Sequence, residues 1–244
     1  MFERRGTTAY KARIGAASDA EPVPGTLAFE AACRRLDGRP LAYRVGKRAV
    51  DMVFAIAACA VCLIPCIVLA VLVVIDTKGS PLYGQQRVKR GGRPFRIYKF
   101  RSMVADADDV EKYFTPEQME AWRRERKVAN DPRITRLGRF MRKTSLDELP
   151  QFINVLLGDM SVVGPRAITY DELENFAPAE RTVLLSVPQG ITGAWQCGPR
   201  NFATFENGLR QQLELAYVRH ASLRGDMAYF FKTFAVMLVE RSGR

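Results

Sequence analysis

The strongest pattern along the chain is a run of about 24 uncharged, mostly apolar residues at positions 52–75. An α-helix of that length measures about 36 Å, which is enough to cross a hydrocarbon core of ~30 Å. Pro65 lies in the middle of the run, where a proline removes a helical hydrogen bond and favours a kink. We therefore expect a membrane-inserted helix over residues 44–76 that is broken at Pro65.

Basic residues flank the apolar run on both sides, with Arg44 and Lys47 before it and Lys89 and Arg93 after it. Lys and Arg favour the cytoplasmic side of a membrane. Two half-helices of about 12 residues would each reach about 18 Å, the middle of the bilayer. These features favour a re-entrant helix with both ends in the cytoplasm. An ordinary kinked transmembrane helix is the alternative.

Beyond residue 76 the pattern becomes that of a water-soluble domain. Residues 80–87 and 95–101 have the composition of short strands around a turn at Gly91 and Gly92. A loop rich in Gly and Pro is expected over residues 188–201. Helical patterns occupy residues 104–129, 144–157, 171–186 and 205–239.

The apolar and aromatic end of segment 205–239 predicts a helix that lies in the membrane interface or packs into a soluble core. Residues 1–43 have no clear periodicity, and no apolar segment of a secretory signal follows the first basic residues. They are expected to form a mobile N-terminal tail. The predicted fold is α-dominated α+β, with a re-entrant membrane helix at 44–76 and a small cytoplasmic domain with interfacial helices at 77–244.

Composition narrows the chemistry only slightly. The formal net charge of +11 indicates anionic partners: nucleic acid, acidic lipid or phosphorylated substrates. Cys59, Cys62 and Cys66 have a spacing that resembles metal ligands, but zinc sites need further cysteines or histidines. The chain has a single histidine, His220, which we interpret as structural or surface. The three cysteines are therefore interpreted as apolar helix residues.

The most informative candidate for catalysis is the acid pair Asp147 and Glu148. Ser145 and Glu148 have the spacing of a capping box, which predicts that both acids lie in the first turn of a helix. The positive end of the helix dipole would keep such a carboxylate ionised, so that it can attack phosphorus or hold a metal. A well-capped structural helix is the alternative interpretation.

Cations near this pair strengthen the case for phosphate chemistry, because phosphoryl transfer needs mainly positioning and charge neutralisation. The candidate phosphate-binding residues are Lys99, Arg101, Arg142 and Arg166. Asp106 and Asp108 resemble a metal-binding acid pair, but their charged surroundings indicate a surface feature. The chain has neither a phosphate-binding P-loop motif nor a His-Glu-x-x-His motif.

Several ordered motifs resemble the bacterial sugar transferase family, the monotopic phosphoglycosyl transferases, over residues from about 44 to 240. The first is the segment 44–75, which consists of a basic stretch followed by the apolar run. The N-terminal 43 residues lie outside the resemblance. The others are 98–103 (YKFRSM), 130–135 (NDPRIT), 144–151 (TSLDELPQ), 158–166 (GDMSVVGPR) and 190–196 (GITGAWQ).

The resemblance implies a reaction between a UDP-sugar and undecaprenyl phosphate, assisted by Mg²⁺. Asp147 would attack the β-phosphate and release UMP, and the lipid phosphate would then take the phosphosugar from Asp147. Glu148 would be its acidic partner and Asp147 the metal ligand, while Lys99, Arg142 and Arg166 would bind phosphate. Such enzymes start polysaccharide or glycoconjugate synthesis, including O-antigen, capsule and exopolysaccharide, at the cytoplasmic face of the bacterial inner membrane. Pro65 would be the membrane-helix break.

Two residues depart from the family pattern. Ala167 replaces the second proline of a Pro-Arg-Pro motif, which puts the nucleotide contact at Arg166 in question. Ile64 stands where a small polar residue often precedes the helix-breaking proline. No nucleic-acid partner is expected, and a homo-oligomer is left open, as are the sugar, the polyprenyl length and the role of residues 1–43.

Two other functions fit parts of the pattern. A membrane-anchored basic binding module would explain the charge and the apolar segment, but not an acid pair at a helix start among arginines. A UDP-sugar glycosyltransferase acting through Asp106 and Asp108 is the third hypothesis. It predicts that the Asp147→Asn variant stays active.

Overall fold

The computed structural model describes residues 22–125, 128–199 and 202–239. Its helices are α1 (Leu27–Leu36), α2 (Leu41–Thr77), α3 (Pro116–Glu125), α4 (Arg136–Thr144), α5 (Gln151–Leu157), α6 (Tyr170–Leu173), α7 (Pro178–Leu184), α8 (Leu209–Arg219) and α9 (Leu223–Val239). Its strands are β1 (Leu82–Val88), β2 (Pro94–Phe100), β3 (Met160–Val163) and β4 (Gln189–Thr192). The described chain is helix-dominated with two small sheets, as expected.

Strands β1 and β2 form the predicted antiparallel hairpin, with Leu82 opposite Phe100 and Val88 opposite Pro94. A short 3₁₀ turn over Arg90–Gly92 joins them. Gly92 has a φ of +79°, and a Cβ there would lie 2.9 Å from the ring of Phe29. Glycine is therefore needed at this position for both its backbone conformation and its close packing.

Strands β3 and β4 form a two-stranded parallel sheet in which Met160 pairs with Gln189. The sequence pattern missed both strands, and the second lies in the predicted loop at 188–201. All four residues of β3 are buried, so the strand has no alternation of polar and apolar residues to reveal it. A Cβ on Gly190 would lie 2.1 Å from the nitrogen of Gly164, so the two backbones meet where only glycine fits.

Helix α2 contains the whole apolar segment and runs as one 37-residue helix that includes Pro65. The structure therefore does not confirm the expected break at Pro65. By length and composition this helix is able to cross a membrane, and only 6% of its most apolar window is buried. A core helix of a soluble protein would be mostly buried, so the exposed apolar surface of α2 indicates a membrane protein.

One face of α2 contacts the rest of the domain near both of its ends. Its buried positions recur every fourth residue, as expected for one helix face: Tyr43, Lys47, Asp51 and Ala55 near the start, and Leu69, Val73 and Thr77 near the end. The stretch between these two groups exposes large apolar side chains, including Val61 and Ile64, which are 78% and 73% exposed.

A buried polar cluster fixes the start of α2 to the C-terminal helices. The Asp226 carboxylate of α9 accepts hydrogen bonds from the Tyr43 hydroxyl at 2.7 Å, the Lys47 ammonium at 2.9 Å and the Tyr217 hydroxyl of α8 at 2.7 Å. One turn further along α2, Asp51 accepts from the main-chain N–H of Val162 at 3.0 Å. The apolar helix is thereby joined to sheet β3–β4.

The prediction of a tail over residues 1–43 is wrong for its described part. Helix α1 begins with Thr26, whose side chain accepts a hydrogen bond from the N–H of Phe29. Phe29 is 1% exposed and packs in a core cluster with Val88 and Leu184. Glu30 forms an ion pair with Arg93 at 2.5 Å. Residues 1–21 lie outside the described part of the chain.

The other helical segments are shorter than predicted. Segment 104–129 holds one α-helix, α3, and segment 171–186 divides into α6 and α7. Segment 205–239 divides into α8 and α9 around His220, which caps the end of α8. On α9, Tyr229 and Phe230 pack against the core, while Phe231 is 63% exposed. This helix therefore contributes to the core and also leaves apolar surface exposed.

Candidate active site

Asp147 and Glu148 lie in a 3₁₀ turn, Leu146–Glu148, that directly precedes α5. The capping-box prediction is wrong. Ser145 adopts a left-handed conformation with a φ of +56° and ends α4, and its side chain makes no capping hydrogen bond. Helix α5 begins only at Gln151, because the intervening Pro150 has no N–H to continue the turn into a regular helix.

Lysine and arginine side chains lie beside the two acids of the site. The Lys99 ammonium, from the end of β2, lies 2.6 Å from the Glu148 carboxylate. Arg142, on α4, donates to the Ser102 hydroxyl at 2.8 Å and its charge acts on Asp147. Residue neighbours in a 3₁₀ turn point about 120° apart, yet Lys99 acts on both acids, and Arg142 acts on Asp147.

The electrostatics of the two acids differ. Burial, together with the adjacent Glu148 charge, raises the pKa of Asp147 from its ordinary 3.8 to about 6, against the opposing effect of Lys99 and Arg142. Glu148 is half-buried, and Lys99 and Arg166 outweigh the effect of its burial, so its pKa is lowered. The expectation of an acid stabilised by a helix dipole is thus wrong for Asp147, since burial dominates. Asp147 is nevertheless mostly ionised at neutral pH.

A small cleft opens beside Glu148. Its lining residues are Arg87, Ile97, Lys99, Glu148, Gln151, Arg166, Ala167, Gly190 and Ile191. Glu148 lines this cleft, whereas Asp147, which is 8% exposed, lies next to it. Three cations around so small an opening favour an anionic ligand such as a diphosphate.

Arg166 enters the cleft from the loop that follows β3. Its guanidinium lies 5.2 Å from the centre of the Trp195 ring, and its main-chain N–H donates to the Glu214 carboxylate. Ala167, in the position of the missing family proline, is 5% exposed and packs in the central core cluster. The loop is therefore packed in place despite this substitution.

Arg101, by contrast, lies away from the cleft. Its Nε donates to the Ser80 carbonyl at 2.9 Å and its guanidinium lies over the Tyr83 ring. It does not line the described cleft. Of the four predicted phosphate-binding residues, the structure brings together Lys99, Arg142 and Arg166 around the acid pair and leaves Arg101 outside.

Arg87 lines the cleft from β1 and was not predicted from the sequence as a site residue. It forms an ion pair with Glu172 at 2.6 Å, and Glu172 also faces Arg210 at 3.5 Å. The available signal was a charged residue inside a predicted strand, but one arginine in a basic sequence is too common to single out. The partner Glu172 lies 85 positions away in the sequence, so its contact required the fold.

The other candidate groups of the sequence are surface or packing residues. Asp106 is paired with Lys112 and Tyr113 in an exposed cluster. Cys59, Cys62 and Cys66 are free thiols along α2. Within the described residues, no three His, Cys, Asp or Glu side chains are grouped as a metal site. The acid pair does fit Mg²⁺, which proteins often hold through one or two carboxylates together with substrate phosphates.

The apolar helix packs directly against the acid-bearing turn. Leu146 and Leu149, on either side of the acids, pack against the cluster that contains Leu69 and Val73 of α2. The carboxylates are thus adjacent to the part of the molecule that carries the exposed apolar surface.

An acid pair among cations lies beside an exposed apolar helix, an arrangement that suits chemistry on phosphorylated groups at a membrane. The chain belongs to the bacterial sugar transferase family, whose model matches residues 42–240. It is 42% identical over 195 residues to the UDP-galactose-lipid carrier transferase of Erwinia amylovora, covering 79% of this chain and 40% of that protein.

Two further relatives are similar in sequence. The undecaprenyl-phosphate galactose phosphotransferase of Salmonella typhimurium is 47% identical over 163 residues, covering 66% of this chain and 34% of that protein. The exopolysaccharide production protein ExoY of Sinorhizobium fredii is 39% identical over 201 residues, covering 81% and 87%. The chain thus spans less than half of the first two relatives and most of the third.

Proposed function

We propose that this chain transfers a hexose-1-phosphate from a UDP-sugar to undecaprenyl phosphate, through a phosphosugar-aspartate on Asp147, and releases UMP. The observation that carries the proposal is the arrangement of Asp147 and Glu148 among Arg142, Lys99 and Arg166 next to the membrane helix. The names of two relatives support the same class of donor and acceptor. They are a UDP-galactose-lipid carrier transferase and an undecaprenyl-phosphate galactose phosphotransferase.

The chemistry needs two displacements at one phosphorus atom. A carboxylate oxygen of Asp147 attacks the β-phosphorus of the UDP-sugar, and the bond from this phosphorus to the bridging oxygen breaks as UMP leaves. An oxygen of the lipid phosphate then attacks the same phosphorus and breaks its bond to Asp147, which restores the carboxylate. Lys99 and Arg166 neutralise the phosphates, and because the cleft preorganises them, they lower the barrier electrostatically.

Glu148 and Asp147 are the residues that would hold Mg²⁺. When bound, Mg²⁺ would neutralise part of the diphosphate charge. Glu148 is held by Lys99 at 2.6 Å, so its carboxylate has a fixed orientation toward the cleft. The remaining basic residues of the cleft, Arg87 and Arg166, supply fixed positive charge for the nucleotide side of the diphosphate.

The membrane segment is proposed to enter the bilayer from one face, with both ends on that face. Ala55 lies in the core cluster that includes Ile97 of β2, and Leu69 lies in the cluster that includes Phe100 of the same strand. Between Ala55 and Leu69 a helix rises only about 21 Å, which is less than the ~30 Å of a hydrocarbon core. Because both ends pack into the same folded domain, this arrangement favours ends that lie on one side of the membrane. The basic flanks favour the cytoplasmic face of the inner membrane.

The decisive experiment is UMP release by the purified protein in detergent or lipid particles, with undecaprenyl phosphate, Mg²⁺ and a panel of UDP-sugars. We expect UMP from at least one sugar and none with Asp147→Asn. Asp108→Asn changes an exposed acid on the surface. It is the matched control and should keep wild-type turnover. Full activity of Asp147→Asn would contradict the covalent mechanism. Activity lost in Asp108→Asn would instead favour a glycosyltransferase acting through the surface acids.

A covalent intermediate should also be detectable on the protein itself. Incubation with donor alone should label the wild-type protein with the sugar phosphate, detectable as a mass increase of one hexose-phosphate on the peptide that contains Asp147. Addition of undecaprenyl phosphate should remove that label. UMP release without any labelled protein would point to direct transfer between the two substrates.

A further inference from the structure

A buried carboxylate lies directly behind Arg166. Glu214, on α8, is 2% exposed, and both of its oxygens lie within hydrogen-bond reach of the Arg166 main-chain nitrogen, at 3.2 and 3.3 Å. Burying an ionisable group is costly unless it has partners, so its presence here calls for a specific reason. Glu214 does not line the cleft itself.

The loop that carries Arg166 is held by hydrogen bonds to β4 and to Glu214. On one side, the N–H of Gly164 donates to the Thr192 carbonyl at 2.9 Å, and the N–H of Gly190 donates to the Pro165 carbonyl at 2.7 Å. On the other side, Glu214 holds the N–H of Arg166. The contacts to β4 fix the start of the loop, and the contact to Glu214 fixes the residue that carries the guanidinium.

The same carboxylate faces the positive charges that accompany Arg166. Arg210 lies one helical turn before Glu214 on α8, and its guanidinium is 4.4 Å from the centre of the Trp195 ring. Arg166 lies over this same ring. Both arginines lower the pKa of Glu214, but burial dominates and raises it to about 7. The carboxyl group accepts the hydrogen bond from the Arg166 N–H whether or not it is ionised, so this hydrogen bond is the contact that matters.

We propose that Glu214 is a positioning residue for nucleotide-sugar binding, which holds the Arg166 loop in place through the main chain. This inference rests on the proposed function, in which Arg166 binds the diphosphate of the donor. Glu214 itself touches no substrate. Its removal frees the Arg166 N–H and leaves the guanidinium with more room to move away from the cleft.

The test uses the full-length protein and follows UMP release at varied UDP-sugar concentration. Because the hydrogen bond that holds the Arg166 main chain is lost, Glu214→Ala should raise the KM for the donor by about tenfold and change kcat by less than about threefold. Glu214→Gln keeps an acceptor oxygen, so it should restore the KM to within about threefold of wild type. Glu206→Ala, an exposed glutamate in the loop before α8, is the control.

A double-mutant cycle separates positioning from general damage. If Glu214 acts through Arg166, adding Glu214→Ala to an Arg166→Ala protein should raise the KM no further. Equal and independent KM increases in the two backgrounds would overturn the proposal, as would a Glu214→Ala protein with an unchanged KM. If Glu214→Ala does not fold, a Glu214→Gln protein that is folded but has a tenfold higher KM would overturn it too.

The two proposals fail in different ways. If the wild-type protein releases no UMP, the proposed function fails. In that case the affinity for UDP, measured directly by calorimetry, still tests Glu214. A wild-type protein that is active and an Asp147→Asn protein that is not, together with an unaltered KM in Glu214→Ala, would refute the positioning role alone.

Discussion

The Lys99 ammonium and the Glu148 carboxylate lie 2.6 Å apart although 49 positions separate them in the sequence. A buried asparagine brings them together. The Asn154 side chain, on α5, accepts from the N–H of Tyr98 at 3.0 Å and donates to the Arg96 carbonyl at 2.7 Å. It thereby fixes α5, and the acid-bearing turn before it, to β2, which carries Lys99.

Loss of Lys99 should therefore affect both acids. Its charge lowers the pKa of Asp147 and of Glu148, so the Lys99→Met protein should lose at least about 100-fold in turnover, as for other preorganised charges. The acid side of its residual pH–rate profile should move to higher pH. UMP release at saturating donor measures the first effect, and its pH dependence measures the second.

Lys112→Met provides the matched control, because Lys112 also pairs with an aspartate, Asp106, but on the exposed surface. It should leave turnover and the pH profile unchanged. If the two lysine variants behave alike, the pairing of Lys99 with Glu148 has no catalytic role.

The pKa of Asp147 predicts a pH dependence of the first displacement. The nucleophile must be ionised, and its pKa is raised to about 6. The kcat/KM for the donor should then be level above about pH 7 and fall as the pH drops through 6, tenfold for each pH unit below it. Measurement of UMP release between pH 5 and 8 tests this directly. A profile that stays level to pH 5 would show that the attacking group has an ordinary carboxyl pKa.

Replacement of Asp147 should also stabilise the protein. Because its pKa is higher in the folded chain than the ordinary 3.8, the ionised form is penalised on folding above about pH 6, and this penalty vanishes below pH 4. A neutral asparagine avoids it, so Asp147→Asn should raise the unfolding free energy at pH 7.5 by on the order of 2 kcal/mol. Thermal unfolding in detergent at pH 7.5 and pH 4.5 should show a larger gain at the higher pH.

The sequence predicted those elements whose patterns are local. The hairpin was visible in the composition of its strands and in Gly91 and Gly92, and the apolar helix in its length. Strand β4 was missed because its four residues carry no alternation and are read as a Gly-rich loop. The strand exists because Gly190 allows the close approach of Gly164, a relationship between positions far apart in the chain.

The site was predicted in part for the same reason. Asp147 and Glu148 stand together in a short motif, so their importance was visible. The sign of the pKa shift of Asp147 was not, because it depends on burial by the whole fold. Arg101 was grouped with Lys99 because both end one strand, yet its guanidinium binds the Ser80 carbonyl instead.

Helix α1 offers a test of how the N-terminal segment contributes to stability. Phe29 is 1% exposed and its ring lies against the Gly92 turn of the hairpin that carries Arg87 and Lys99. Phe29→Ala should lower the unfolding free energy by about 3 kcal/mol, which denaturant or thermal unfolding would measure. Leu27→Ala is the control, since Leu27 is 81% exposed on the same helix. Equal small effects of both changes would mean that α1 contributes little to the fold.

The contacts of α2 predict the topology of the membrane segment. Ala55 and Leu69 pack into core clusters that each include a residue of β2, so residues before and after the apolar stretch should lie on one side of the membrane. Arg44 and Ser80 are exposed, and each is replaced in turn by cysteine in a protein that keeps only the buried Cys33 and Cys197. The new cysteine should react with an impermeant maleimide only after the cells are opened. A cysteine replacing Glu206 marks the side of the folded domain and should behave identically. Labelling of either flank from outside intact cells, with the other flank protected, would require the helix to cross the bilayer. It would also require Ala55 or Leu69 to leave its core cluster in the membrane, because a folded domain occupies only one side.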